Sequence, residues 1–556
     1  MNDEVTRSWF DTHEVTNQPP PLEGYDVFGT NRALAEAVGR HGATANLGDL
    51  SALGRQAGDP EWIERGRQAN ANPPALRTHD RYGNRLDVVD FHPAYHQLME
   101  ASVHAGLHAA PWVDERPAPH VTRAAGLITW YQVDAGHTCP ISMTYSSVAA
   151  LRHQPEVAEG LVPLLTARHY DGSNRPVAAK AGITAGMAMT EKQGGSDVRA
   201  NTTTARPVGA GGPGAEHLLT GHKWFCSAPM SDGFLVLANA PGGLSCFWMP
   251  RWRPDGTRNA VRIQRLKDKL GDRSNASSEI EMLDAWAVMV GEEGRGVRTI
   301  IEMVNCTRLD CTLGSAAVMR QGTAQATWHA HHRSAFGNVL DRQPLMRNVL
   351  ADLAIESEAA TAAAIRIAAT FDAADDPDEQ LFARLATPVV KYWTCKRATA
   401  HAAEAMECFG GVGYVEDTDM PRLLRQSPVN GIWEGSGNVM CLDVLRAMLR
   451  SPDSVDAYWS EVDRAAGADR RLDTAYVALQ KELADLEEIE LRARRIVEDM
   501  ALLLQGSLLV RHSPAAVADA FCASRLDPDH TAHHAYGTLP PGLDLDAIVE
   551  RHRPTP

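Results

Sequence analysis

Three stretches of this chain combine residue types that could do chemistry. MTEKQGGSDV, residues 189–198, sets Gly194 and Gly195 between a charged pair, Glu191 and Lys192, and the polar pair Ser196 and Asp197. Successive N–H groups in a glycine-bearing turn form a concave donor surface for a phosphate or an electron-rich heterocycle, and Thr190 and Ser196 add hydroxyls. A plain surface turn would use the same residues. GHKWFCSAP, 221–229, sets aromatic faces beside a small hydroxyl, Ser227; a planar ring system needs such a wall and one hydrogen bond at its edge. NGIWEGSGNVM, 430–440, holds one carboxylate, Glu434, between Trp433 and Gly435. An apolar neighbour disfavours the charged form and makes a carboxylate more basic, which suits proton abstraction. A helix N-terminal acid favoured by the dipole is an equal reading of Glu434.

The elements that would position these stretches follow from the hydrophobic pattern. Residues 1–175 read as mainly helical, with loops at 17–24 and 72–84 and helices in NRALAEAVGRHG and FHPAYHQLMEASVHAGLH. Residues 176–295 read as a compact β domain of short runs separated by turn residues, with VGAGGPGAEH (208–217) as a hairpin loop. Alanine-rich helical patterns fill 296–450 and predict a four-helix bundle, the third helix over about 378–409 and the fourth beginning near 437. In the extra segment 451–556, Leu472, Tyr476, Leu479, Leu483, Leu486 and Ile489 recur at steps of three and four and predict one amphipathic helix. The fold class is α+β, multidomain.

Composition excludes several classes. At 556 residues the chain is long enough for roughly three or four domains. No apolar run reaches the ~18 residues of a membrane span, and the polar, acidic first residues point to the cytoplasm. Nine scattered cysteines without a CxxC pair read as reduced thiols. The histidines of WHAHHR (328–333) and HTAHHAYG (530–537) lack partners at zinc spacing, so no metal is expected. The net charge of −16 argues against a general polyanion binder.

MTEKQGGSDV, GHKWFCS, KLGDRSNASSEIEM, HRSAFGNVL, FGGVGY and WEGSGN occur in the order and rough spacing found in the flavin-dependent acyl-CoA dehydrogenases. TNQPPPL, ANPPAL, FHPAYHQLM and CPISMT further resemble the AidB, adaptive-response branch of that family. The resemblance implies a helical domain, a β domain and a helical bundle with FAD between the last two, in a homotetramer. By position it assigns FAD contacts to Met189, Thr190, Gly194, Gly195 and Ser196, with Thr190 at the pyrimidine edge and Ser196 near the phosphates. It assigns others to Phe225, Cys226 and Ser227, with Phe225 stacked on the isoalloxazine and Ser227 at N5, and to Trp433, Ser436 and Asn438. Arg333 and Phe336 match positions that reach FAD across a subunit interface, and Gly411 matches an approach to the adenosine end. Glu434 falls on the catalytic-base position, removing the α-proton of an acyl-CoA while a hydride leaves for flavin N5. Arg308 matches the substrate region, and Thr307, where some members place the base, has no carboxylate.

Two departures touch the substrate side. Glu407 stands where many members have glutamine, and Asn305 where many have an acid, so the resemblance implies an altered substrate channel around an intact flavin site. AidB relatives are also associated with double-stranded DNA through an extra C-terminal domain, the alternative being a DNA-associated protective flavoprotein with weak dehydrogenase activity. Segment 451–556 carries 11 Lys and Arg against 19 Asp and Glu, net −8, with Arg492, Arg494 and Arg495 its one dense basic spot. Such a surface repels a duplex, so DNA is disfavoured and the tail is expected to pack on the bundle or a neighbouring subunit.

Overall fold

The computed structural model describes residues 12–530 and 535–555. Helices come first: α1 (Arg32–Arg40), α2 (Leu47–Ala57), α3 (Pro60–Ala71), α4 (Pro93–His104), the short α5 (Ala110–Val113), α6 (Pro119–Trp130), α7 (Thr138–Leu151) and α8 (Pro155–Leu165). Their ends follow local chemistry. The Asn31 side chain accepts from the Leu34 amide to cap α1, and Asp59 caps α3 with Pro60 at its first position.

Residues 72–84, expected as a loop, instead supply most of an antiparallel hairpin, β1 (Ala75–His79) and β2 (Arg85–Asp90). Flanking proline and glycine obscure it locally. What makes it a hairpin is tertiary: Val89 is buried in the core of the β domain.

That domain contains β3 (Ala185–Ala188), β4 (Thr204–Pro207), β5 (Glu216–Ser227), β6 (Gly233–Ala240), β7 (Gly243–Pro250), β8 (Val261–Leu266) and β9 (Ser277–Val290). The strand order is β3-β6-β4-β5-β9-β7, and a further β6–β7 pairing closes the sheet on itself. Val236, Phe247, Met249, Ile280 and Met289 fill its interior.

The bundle follows as α9 (Gly296–His332), the small hairpin β10 (Ser334–Ala335) and β11 (Asn338–Val339), α10 (Pro344–Asp372), α11 (Pro377–Glu407), the short α12 (Met420–Gln426) and α13 (Gly437–Arg450). Ala316, Ala317, Ala354, Ala363, Ala364 and Ala402 are fully buried in one shared core, and their small side chains let the helix backbones approach closely. A buried ion pair, Arg123 with Asp310 at 2.6 Å, fixes α6 to α9.

The C-terminal segment adds α14 (Asp453–Asp463), α15 (Arg470–Ala484), α16 (Ile489–His512), α17 (Ala515–Phe521) and α18 (Leu545–His552). It packs on the bundle of its own chain. Tyr458, Met500, Leu504, Phe521 and Ile548 join the bundle core, and Arg551 and His552 bond Glu358 of α10 at 2.9 and 2.8 Å. The single amphipathic helix expected over Leu472–Ile489 is two helices. Glu488 adopts a left-handed conformation, Leu486 is 67% exposed, and Ile489 opens α16. Among the described residues no helix is long and apolar enough to cross a membrane.

Candidate active site

The peptide 189–198 leaves the end of β3 and is anchored by a pair that composition alone does not reveal. Glu191 and Lys223 are fully buried and meet at 2.8 Å. Burial opposes ionisation of Glu191, but bonds from Lys223, Thr203 and Thr202 outweigh it and hold its carboxyl well below the ordinary range. Lys223 also donates to Leu237 O at 2.7 Å, tying the peptide to the centre of the sheet. Met189 O accepts from Asn201 and Thr190 O from the Trp224 amide. Beyond this anchor Gly194, Gly195 and Ser196 are exposed. Their turn needs glycine: Gly194 has φ +145°, and a Cβ on Gly195 would meet Thr190 Oγ1 at 2.6 Å. The amides of Gly195 and Ser196 bond nothing among the described residues, which fits a phosphate-bearing ligand.

On β5 a register shift against β9 between Lys223 and Cys226 forms a bulge and turns Trp224 and Phe225 outward. Phe225 is 50% exposed, a stacking face in the open. Ser227, half-buried, meets Ser277 Oγ at 3.1 Å. At Cys226 strand alternation puts the thiol in the β-domain core, and its carbonyl accepts from Ser278.

Glu434 sits in the loop ahead of α13 with φ +59°, a conformation rare for a non-glycine residue. The loop is clamped from both sides. Lys391 of α11 donates to Trp433 O and Gly435 O at 3.0 and 2.5 Å, and Arg308 of α9 donates to Glu434 O at 3.1 Å. Arg308 also pairs with Asp443 at 2.8 Å, so these bonds commit it to holding the base loop. Trp433 Nε1 donates to Asn430, which in turn donates to Tyr131. Burial raises the Glu434 carboxyl above its usual range, with Thr307, Lys391 and Arg308 acting against it. Its Oε2 is buried without a hydrogen-bond partner.

Cys139 of α7 links the two halves of the site. Burial pushes its thiol up to about 12; Lys269 and a hydrogen bond with Ser227 oppose this, while Asp272 and Glu434 add to it. Behind it Asp272 has both carboxylate oxygens buried and unpartnered, and burial raises its carboxyl to about 7 despite Lys269. Asp272, Lys391 and the Glu191–Lys223 pair are the residues that sequence reasoning passed over. The one available signal was charge inside otherwise apolar strand and helix patterns.

The remaining expected contacts run from the base loop to the far end of α9. Asn438 is exposed and accepts from Arg494 of α16 at 2.8 Å. Ser436, half-buried, stands at the start of α13. Arg333 and Phe336 follow the far end of α9, 25 or more residues past Arg308, or over 35 Å of helix. Phe336, φ +52°, is 96% exposed at the tip of the β10–β11 hairpin. Gly411 is exposed at that same end, where Phe409 stacks on His329 with ring centroids 4.2 Å apart. Within one chain these three residues do not reach Glu434. Of the discounted histidines, His331 bonds Asp341 at 2.7 Å, and His533 and His534 lie outside the described residues.

Comparison with known proteins decides the kinship. The family model described as the adaptive response protein AidB N-terminal domain matches residues 17–172, and the acyl-CoA dehydrogenase middle and C-terminal domains match 186–285 and 294–449. The putative acyl-CoA dehydrogenase AidB of Escherichia coli (strain K12) is 46% identical over 93% of this chain and 95% of its own. The chain belongs to the acyl-CoA dehydrogenase family, in its AidB branch. Acyl-CoA dehydrogenase family member 11 of Caenorhabditis elegans is 30% identical, covering 85% of this chain and 81% of its own. The solved structure of C. elegans ACDH-11 in complex with C11-CoA superposes with a TM-score of 0.84 at 27% identity, covering 95% of both chains. As a member of this family the chain is an FAD-dependent oxidoreductase of the acyl-CoA dehydrogenase type.

Proposed function

We propose that this AidB-type dehydrogenase removes the α-proton of an acyl-CoA thioester with Glu434. The observation that carries this is the orphaned Oε2 on a carboxylate made more basic by burial, in a loop gripped by Lys391 and Arg308. Bound FAD supplies the hydride acceptor. Phe225 gives the flat ring a wall and Ser227 a hydroxyl at its edge; Met189, Thr190, Gly194, Gly195 and Ser196 form the polar shelf, and Trp433 and Ser436 flank the base. Arg308 is a positioning residue here, and Asn438 joins the site to the C-terminal segment.

Arg333, Phe336 and Gly411 support a homotetramer in which one copy completes the cofactor site of another. An acyl-CoA substrate is supported by the C11-CoA held by the C. elegans neighbour, and a cytoplasmic, adaptive-response role by the AidB kinship. The reading with duplex DNA as partner is disfavoured, because Arg492 and Arg495 pair with Glu482 and Arg494 with Asn438. The test is anaerobic titration of the FAD-loaded protein with a panel of short acyl-CoAs. Bleaching of the flavin by at least one supports the reading; a flavin that every acyl-CoA leaves oxidised contradicts it.

A further inference from the structure

A cavity of about 420 Å³ lies where α1, α10, α11, α14 and α16 meet. It is remote from the reaction: Glu379 on its wall precedes Lys391 by twelve residues, about 18 Å along α11. Its cationic wall is Arg40, Arg366, Arg464 and Arg511 with His41 and His512. Four acids also line it, and each is already engaged. Asp372 accepts from the His120 and Val121 amides at 2.8 and 3.0 Å, and Asp376 caps α11. Glu379 pairs with Arg366 at 2.7 Å, while Glu461 is shared by Arg366, Arg464 and Arg511 at 2.9, 3.2 and 2.6 Å.

Arg366, Arg464 and Arg511 thus share two carboxylates, all three converging on Glu461, and Arg40 stands apart. Among the described residues Arg40 makes no ion pair or hydrogen bond, and neither imidazole has a hydrogen-bond partner. Burial, with Arg366 and Arg40 adding to it, lowers His41 to about 4. Burial, with Arg40, Arg511 and Arg464 adding to it, does the same to His512. Arg40 and Arg464 are exposed and Arg511 is half-buried. The crowding of Arg366, Arg464 and Arg511 on Glu461, with Arg40 repelled by Arg511, would be relieved by one compact, multiply charged anion.

We propose that this cavity binds a phosphoryl or pyrophosphoryl group through Arg40, Arg464 and Arg511. Guanidinium forks match the oxygens of such a group and hold it bidentately. The three arginines come from the end of α1, the residue that follows α14 and the end of α16, so the anion ties the N-terminal helices to the C-terminal segment across the bundle. The ligand serves as a clamp between segments and takes no part in the redox reaction.

The test is calorimetric titration of the FAD-loaded, full-length protein with inorganic phosphate, pyrophosphate and ADP, repeated on R40M and on R40M/R464M. Arg40 has no bond to lose, and the Arg464 side chain is 60% exposed, so the folded state and acyl-CoA reduction are expected to persist in both variants. The expected result is saturable binding to wild type, weakened about tenfold for each arginine removed. Tightest binding of ADP assigns the group to a nucleotide; tightest binding of pyrophosphate or phosphate assigns it to the free anion. Absence of saturable binding of all three anions, or binding that R40M/R464M leaves unchanged, overturns the proposal.

Discussion

Asp272 shows how a single residue near the site sets a pH dependence. Its carboxyl is raised from 3.8 to about 7 by burial. The folded state therefore holds this proton more tightly than the unfolded chain does. Stability from the group is fully present below pH 3.8 and falls as pH rises towards 7, by about 4 kcal/mol in all. D272N removes the titration while suiting the left-handed backbone at this position, φ +50°. Its melting temperature should exceed that of wild type at pH 8 and converge with it near pH 4. Equal differences at both pH values would show that Asp272 is ionised throughout. Glu434 is raised for the same reason, so flavin reduction should gain rate with pH through a limb above the usual glutamate range. At this scale Glu434, Phe225 and Ser227 became candidates because an acid beside a tryptophan and an aromatic beside a small hydroxyl stand out in the sequence. The Glu191–Lys223 pair was not, since 32 residues separate its members and only the sheet register joins them.

Among the elements, the β10–β11 hairpin has an orientation that one chain does not explain. Phe336 stands almost fully in solvent on a two-residue turn with Gly337 at φ +80°. A phenylalanine leaving water on docking contributes roughly 1.5–3 kcal/mol, enough to matter in each of several symmetric contacts. F336D should leave the helix content and melting of the chain unchanged while shifting sedimentation towards smaller species and lowering FAD retention. Wild-type assembly with full FAD content in F336D would remove the hairpin from the interface. The four bundle helices and most strands were readable from period and turn residues. The β1–β2 hairpin and the break between α15 and α16 were not: Val89 finds its burial only against another domain, and the three-four periodicity runs on through Leu486 although the backbone turns away.

For the whole molecule, the C-terminal segment behaves as part of the bundle core. Its basic cluster is spent internally, and the chain carries a net charge of −16. Duplex DNA should therefore bind weakly at about 0.15 M salt, with a shallow dependence of affinity on salt, because few cations are free to displace counterions. A steep salt slope in a filter or anisotropy assay would mean that these arginines leave their partners. The order of helical, β and helical segments was legible from texture alone. The proposed cross-subunit completion of the site came only from the family motifs around Arg333, Phe336 and Gly411, because within one chain these residues lie far from Glu434 and no local pattern records symmetry.

The most direct measurement is stopped-flow reduction of the bound flavin in E434Q, mixed anaerobically with an acyl-CoA that bleaches wild type. The substitution keeps the side chain's shape, removes its basicity and leaves Lys391 and Arg308 holding the loop through backbone oxygens. Full FAD content with reduction slowed at least about a thousandfold is the result expected. Reduction at the wild-type rate would contradict Glu434 as the base.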